Sequence, residues 1–397
     1  MNYFSHYRCT QCGHEYDPAE LRYLCPLCSK DYKAGRPLPG ILECVFDYSQ
    51  IAKAWHKYGV AFPDASPTQK MEELCELFSP VSKEYYPNLP VGNTPLICSQ
   101  SLVGETLFLK FDGLCPSGSY KDRASQLVVA EAKRLGIKEI VTASTGNAAS
   151  SLAALCAATG IKAVIFTPAS APEAKLVQIK IHGAELNLVE GSYDEAYAAA
   201  LEYSAHHECL NRNTAYHPFT IEGKKTGGLE LYAQMGQVPE VIFIPTGDGV
   251  ILSGIAKAFY DLKEAGITQS LPVLVAAQAA SSDAITSYWE SGVYHDALQP
   301  HTVADSISVK TPAAAHLAVK VLKNSAGMGV RVSDEEILAA QKMLASRTGI
   351  FCEPSSAATL AAYFRTREQA WIKDRARVVL MLTGHGLKDI KAVSFDE

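Results

Sequence analysis

Over most of this chain, short apolar runs alternate with longer segments whose apolar residues recur every third or fourth position. "TLFLKFD" reads as a strand. "KDRASQLVVAEAKRLG" sets Ala124, Leu127, Val128, Ala132 and Leu135 on one helical face and closes at Gly136. The alternation continues with strand "EIVTAS", helix "NAASSLAALCAATG", strand "KAVIFTP", helix "APEAKLVQIKIHG" and strand "AELNLVE". A second block opens at "EVIFIPTGDGVILSGIAKAFYDLKEAG" and passes through "PVLVAAQ" to the late strand "RVVLMLTG". Ahead of both, "MEELCELF" has helical spacing, and the Gly, Asn and Pro of "LPVGNTPLI" turn the chain into a strand. Strands that alternate with helices are joined by crossovers, which makes the sheets mostly parallel and covers both faces. The pattern predicts an α/β protein of two three-layer αβα domains, with ligands in the crevice at the strand ends. It contains no internal repeat and no low-complexity tract.

The first forty residues break this pattern with paired cysteines, many aromatics and a Gly/Pro exit at Pro37 to Gly40. Cys9 and Cys12, then twelve residues, then Cys25 and Cys28 form two C-x2-C knuckles. That spacing brings four thiolates to tetrahedral positions around one Zn2+, so residues 1–38 are predicted to be a zinc ribbon, with four free thiols as the alternative. His6 and His14 are read as bystanders. The remaining cysteines, such as Cys156 in "LAALCAATG", sit singly in apolar segments and read as small buried hydrophobes. The total of 11 is odd, which points to a reducing compartment, and there grouped thiols are metal ligands rather than disulfides.

At 397 residues the chain is too long for one small module. Its net charge of -6 gives no electrostatic reason for nucleic acid or an anionic membrane to be the partner. No apolar run approaches the roughly 20 residues of a membrane span, and "MNYFSHYRCT" lacks the order of a signal peptide. The expectation is a cytoplasmic protein that acts on small molecules, without nucleic acid or membrane. A ribbon can also serve as an adaptor, which keeps open a non-catalytic binding protein. Residues 1–40 hold five Lys/Arg (Arg8, Arg22, Lys30, Lys33, Arg36) against four Asp/Glu (Glu15, Asp17, Glu20, Asp31), which is no basic patch.

Candidate chemistry gathers at four turns. In "CPSGSYKDRAS", Gly and Ser permit a tight turn, Ser119 is placed to cap the helix, and Lys121 enters its first turn. A helix start disfavours a charged lysine and favours the neutral amine, the form that bonds an aldehyde. A solvated surface lysine is the alternative. In "TASTGNAASS", Ser144, Thr145, Gly146 and Asn147 join a strand to a helix whose first amides suit a carboxylate, or simply cap the helix. In "FIPTGDGVILSG", Gly247 and Gly249 allow close backbone approach to a phosphate, although Asp248 is awkward there unless its carboxylate caps another amide. In "LMLTGHGLKD", Thr383 stands at the end of the last strand.

With these segments in this order, the chain resembles the fold-type II pyridoxal-phosphate enzymes, and among them the threonine synthases. "NTPL", "PSGSYKDR", "ASTGN", "IEGKKT", "EPSSAATLAA" and "LTGHGLKD" carry the resemblance over roughly residues 85 to 390. It implies pyridoxal 5'-phosphate bound through Lys121 as a Schiff base, with the freed amine moving protons. It implies Asn147 at the cofactor's ring hydroxyl, Gly247, Asp248, Gly249 and Val250 around its phosphate, and Thr383 at its pyridine nitrogen. Ser144, Thr145 and Gly146 would take the substrate carboxylate, with Thr94 as a further substrate contact; His217 is read as a substrate contact from its matched position, with a satisfied structural histidine as the alternative. The resemblance implies a large cofactor domain of residues 39–119 and 220–397, a smaller domain of residues 120–219, and a homodimer. The reaction implied is that of O-phosphohomoserine with water, giving threonine and phosphate.

The pocket departs from that pattern. Threonine synthases resembling this chain place Asn-Pro and then an arginine before Glu-Gly-Gln-Lys-Thr, whereas "NTAYHPFTIEGKKT" has His217 and Thr220 there. An arginine clamps a phosphate bidentately, so its absence opens other substrates. β-Replacement on a phosphoserine-like substrate and serine/threonine dehydration are the alternatives. Lys224, Lys225 and Lys175 are candidate phosphate contacts, read more simply as solvated helix lysines.

Overall fold

The computed structural model describes residues 3–390 apart from 105, 145, 170, 172, 192, 370 and 373–376. The chain opens with β1 (Phe4–Cys9), β2 (Glu15–Tyr16) and β3 (Leu42–Phe46), then α1 (Tyr48–Ala61), α2 (Pro67–Leu77), β4 (Leu96–Ser99) and β5 (Leu107–Phe111). α3 (Lys121–Leu135) leads into β6 (Glu139–Ala143), α4 (Asn147–Ala157), β7 (Lys162–Pro168), α5 (Glu173–Lys180), β8 (Glu185–Val189), α6 (Tyr193–His206) and β9 (Leu210–Asn211). After α7 (Phe219–Met235) come β10 (Val241–Pro245), α8 (Val250–Glu264), β11 (Val273–Ala279), α9 (Ala284–Ser291) and α10 (Ala315–Asn324). β12 (Met328–Val332), α11 (Asp334–Thr348), α12 (Pro354–Glu368) and β13 (Val378–Leu382) complete the described elements above one turn.

Three sheets organise them. The first, in order β2-β1-β3, is antiparallel, and through β3 it reaches past residue 38. The second has six strands in order β12-β11-β10-β13-β5-β4, parallel except for the edge pair β4–β5. The third is wholly parallel, in order β8-β7-β6-β9. β10 "VIFIP" and β13 "VVLML" lie side by side at the middle of the six-stranded sheet and are buried at every residue. Helices cover both faces there, which is why these strands read as unbroken apolar runs. The fold is therefore α/β with mixed and parallel sheets, as the pattern predicts.

Two features fix the start of α3. On α7, a Cβ at Gly223 would fall 2.2 Å from the carbonyl oxygen of Arg123, and one at Gly227 would fall 2.2 Å from the hydroxyl of Tyr120. Only glycine lets the two helices approach so closely. Beneath them lies a buried ion network. Arg123 donates to both carboxylate oxygens of Asp112 at 2.9 Å and pairs with Glu230, which Lys110 also contacts. Such a network anchors a geometry more surely than it adds stability. No helix among the described residues is long and apolar enough to cross a membrane.

Candidate active site

Lys121 is the first residue of α3, and the chain enters the helix at Tyr120, whose backbone is already helical. Ser119 therefore sits one residue too early to cap, and its hydroxyl finds no hydrogen-bond partner among the described residues. The turn is closed instead by Asp122, whose carboxylate accepts from the amide of Ser117 at 2.7 Å and from its hydroxyl. Tyr120 is fully buried and donates its hydroxyl to the carbonyl of Lys224 at 2.6 Å.

The fold brings Lys121 together with Asn147, Gly247, Asp248, Glu353 and Thr383 around one small enclosed cavity. These residues come from the starts of α3, α4, α8 and α12 and the ends of β10 and β13, the edge at which parallel sheets place ligands. The Asn147 amide donates to both carboxylate oxygens of Glu353 at 3.0 Å and to the hydroxyl of Ser306 at 3.2 Å. Burial pushes the Glu353 carboxyl up to about 7, against the lowering effect of Asn147. At the α4 turn, the amide of Gly146 donates to the hydroxyl of Ser144 at 3.2 Å, and open space lies where a Gly146 side chain would stand. Thr145 lies outside the described residues.

The turn before α8 answers the difficulty of Asp248. Its carboxylate accepts from the amide of Val250 at 2.9 Å, so it folds back onto the backbone. Gly249 has φ +81°, and a Cβ there would meet that of Ala318 at 2.9 Å. Lys224 reaches toward this turn from α7. It is completely buried, and its ammonium finds no hydrogen-bond partner among the described residues. Burial drives its pKa well below the ordinary lysine range, Asp248 opposes that, and Lys121 and Arg212 add to it. Burial would raise Asp248, but Lys224 first, with Lys121 and Arg212 behind it, holds the carboxyl below its usual range.

Arg212 follows β9 and is also fully buried. It donates to the hydroxyls of Ser125 at 3.2 Å and Thr214 at 3.3 Å, while its Nη2 finds no partner among the described residues. Burial lowers the guanidinium to about 10, partly offset by Asp248. His217 is buried beside it. Its Nδ1 accepts from the amide of Phe219 at 3.2 Å, and its Nε2 finds no partner among the described residues. Burial, then Arg212, hold the imidazole at about 3.

Three sequence readings change here. Lys224 and Lys225 are not solvated. Lys225 is buried in ion pairs with Glu222 and Asp261 and lies 4.2 Å above the ring of Phe46, which leaves Lys224 as the unpaired neighbour. Thr94 stands apart from the cavity around Lys121, with its hydroxyl engaged by Asp112 and its amide by Glu230 at 2.6 Å. The side chain of Lys175 lies outside the described residues. Sequence reasoning missed Arg212 and Glu353. Arg212 directly precedes "NTAYHPFTIEGKKT" and Glu353 opens "EPSSAATLAA", but only the tertiary fold gives either a role.

A phosphate-bearing cofactor fits this donor set. Two buried cations and a glycine turn at a helix start are arranged for an anion, and an amine stands beside them. The four-cysteine cluster fits Zn2+ equally well. The sulfurs of Cys9, Cys12, Cys25 and Cys28 all lie within 4.8 Å of one another, close to the roughly 3.8 Å separation that a Zn–S bond of about 2.3 Å dictates. Gly40, at φ +62°, makes room for the second knuckle, because a Cβ there would meet those of Cys28 at 2.8 Å and Cys25 at 2.9 Å. Burial would raise the Cys25 thiol, but the Tyr16 hydroxyl at 3.0 Å and neighbouring hydrogen bonds bring it down to about 7.

The pattern of the pyridoxal-phosphate dependent enzymes matches residues 88–384. The chain is 33% identical to a threonine synthase of Methanosarcina acetivorans, with 98% of this chain and 93% of that protein aligned. It is 32% identical to a threonine synthase of Methanocaldococcus jannaschii over 96% of this chain and 92% of the other. Among solved structures it is similar to maize serine racemase, at 25% identity and a TM-score of 0.65, over 74% of this chain and 88% of that one.

Proposed function

This chain belongs to the family of pyridoxal-phosphate dependent enzymes, and on that premise we propose that it is a threonine synthase, converting O-phosphohomoserine and water to threonine and phosphate. Relatives named threonine synthase support the reaction. The observation that carries the substrate is the pair of buried cations, Arg212 and Lys224, each with a nitrogen lacking a partner among the described residues. A buried unpaired cation is costly until an anion joins it. Two phosphates call for two cations. In this reading Lys224, beside Asp248 and the α8 turn, serves the phosphate of the cofactor. Arg212, held by Ser125 and Thr214, serves that of the substrate, in place of the arginine missing at Thr220.

The cofactor, when bound, supplies an electron sink for the carbanion at the substrate's α carbon. The chain supplies the rest. Lys121 holds the cofactor and, once released, its Nζ removes the α proton and then a β proton. The bond from the γ carbon to oxygen breaks and phosphate leaves toward Arg212; water then adds its hydroxyl at the β carbon and releases a proton, and the two protons taken by the chain return to the γ and α carbons. Thr383 would offer the pyridine nitrogen a hydroxyl rather than a carboxylate, which would suit elimination and replacement over transamination. Asn147 would hold the ring hydroxyl, and the Ser144 to Gly146 turn would take the substrate carboxylate. Residues 39–119 with 220–397 form the cofactor domain and 120–219 the smaller one in this proposal, which also makes the protein a cytoplasmic homodimer.

The test is the release of phosphate from O-phosphohomoserine, with threonine identified by mass spectrometry and Lys121→Ala as control. Equal amounts of threonine and phosphate from the unmutated protein alone are expected. A Schiff-base absorbance near about 410–420 nm without phosphate release would keep the cofactor and remove the substrate.

A further inference from the structure

Tyr23 belongs to the four-cysteine module, two residues before Cys25, yet it reaches the loop that carries Arg212. Its hydroxyl accepts from the amide of Asn211 at 3.0 Å. Its ring stacks on Tyr216, with centroids 4.7 Å apart and planes 15° from parallel, and meets His217 edge-on at 5.4 Å. Beside it, Leu24, Leu38 and Ile41 of the module share one apolar cluster with Ala215, Ile221 and Val250. The module also grips the α8 turn, since Leu38 donates to the carbonyl of Ala313 at 2.9 Å and Ala314 donates to that of Asp248 at 3.0 Å.

The loop between β9 and α7 needs such support. Ala215 is fully buried at φ +60°, a left-handed conformation that an L-residue with a Cβ holds only when its surroundings compel it. Within the same loop, Arg212, Asn213 and His217 each carry a buried nitrogen without a partner among the described residues. The loop hydrogen-bonds Ser125, Val141, Thr142, Ala143, Ala200, Ser204 and Thr220, and the module adds the contacts of Tyr23 and of the apolar cluster on another side of it.

We propose that Tyr23 is a positioning residue for the substrate's anionic group, and that the metal module acts as a buttress holding the Asn211 to His217 loop, and Arg212 with it, in the binding arrangement. The Cys25 ligand fixes the backbone beside Tyr23. Tyr23 fixes the amide of Asn211 and the ring of Tyr216, and Arg212 lies between those two contacts in the chain. The part of this inference that concerns substrate rests on Arg212 receiving the phosphate of O-phosphohomoserine.

The test is Tyr23→Phe in the full chain loaded with zinc and cofactor. The ring and its stacking remain, while the buried Asn211 amide loses its acceptor. The expected result is a KM for O-phosphohomoserine raised about 5- to 30-fold, the size of one unsatisfied buried group, with kcat within about twofold. Zinc content stays unchanged, and amide hydrogen exchange at residues 211–217 becomes faster, with the difference reduced by inorganic phosphate. Unchanged KM and unchanged exchange at 211–217 would overturn the proposal. So would a fall in kcat at constant KM, or loss of zinc, either of which would mark Tyr23 as a general structural residue. If the unmutated chain makes no threonine but exchange at 211–217 still quickens in the variant, the buttress stands and the substrate reading falls.

Discussion

The amide of Tyr120 donates to the carbonyl of Thr383 at 2.8 Å, joining the turn that delivers Lys121 to the end of β13. Ser119 and Gly384 form a bridge beside it, and His385 donates to the carbonyl of Gly118 at 2.9 Å. Lys121 and Thr383 are therefore held as one unit although they lie in distant parts of the chain. Gly384 is the tight point. A Cβ there would fall 1.9 Å from a carboxylate oxygen of Glu353, which itself holds Asn147. Gly384→Ala should destabilise the protein by about 1–3 kcal/mol, the usual range for overpacking, and weaken cofactor binding. Urea unfolding and absorbance titration with pyridoxal phosphate check this, and wild-type values in both would contradict it.

The division of labour between the two buried cations makes a paired prediction. Arg212→Met should raise the KM for O-phosphohomoserine about 10- to 100-fold, as expected for loss of charge-assisted hydrogen bonds, while leaving cofactor affinity near wild type. Lys224→Met should do the reverse, weakening the cofactor with little change in KM. Steady-state kinetics and cofactor titration of both variants decide it. If both lose substrate affinity alike, the two-phosphate assignment fails.

Much of this was legible in the sequence, and the limits are physical. The strands of the parallel sheets stood out because "VIFIP" and "VVLML" are buried on both faces and carry no polar alternation. The Lys121 turn was visible through its Gly and Ser. The fates of Lys224 and Lys225 were not, since one is paired by Asp261 from α8 and the other is left beside Asp248, and helical spacing says nothing about a partner helix. Ser119 reads as a cap because the pattern starts the helix one residue earlier than the backbone does, where Tyr120 occupies the cap position. Glu353 and Arg212 acquire their roles from residues far away in sequence, Asn147 for the first and Ser125 for the second.

His217 gives a pH signature. Burial and Arg212 lower its pKa from 6.5 to about 3, so between those values the unfolded chain binds a proton that the folded chain refuses. This contribution is complete above pH 6.5 and falls by about 1.4 kcal/mol per pH unit as the solution is acidified toward 3. Glu353, raised to about 7, acts oppositely, losing stability as pH rises from 4.5 through 7, but it is common to both proteins in the comparison. His217→Gln should therefore lose less stability than wild type between pH 6.5 and pH 5. Urea unfolding at the two pH values measures this, and equal losses would count against a buried neutral imidazole.

The cysteine cluster predicts one zinc per chain, lost in Cys25→Ser together with thermal stability, because a closed four-thiolate site contributes folding energy directly. Metal analysis and thermal unfolding check it. Purified chains without zinc, or a Cys25→Ser protein as stable as wild type, would argue for four free thiols.

The most direct test of the proposed chemistry is turnover of O-phosphohomoserine in water enriched in oxygen-18. Elimination with water addition at the β carbon places the heavy oxygen in the hydroxyl of threonine and none in the phosphate, with Lys121→Ala inactive. Heavy oxygen in the phosphate, with homoserine as the organic product, would mean hydrolysis at phosphorus and would contradict the assignment of Lys121 and its cofactor to this reaction.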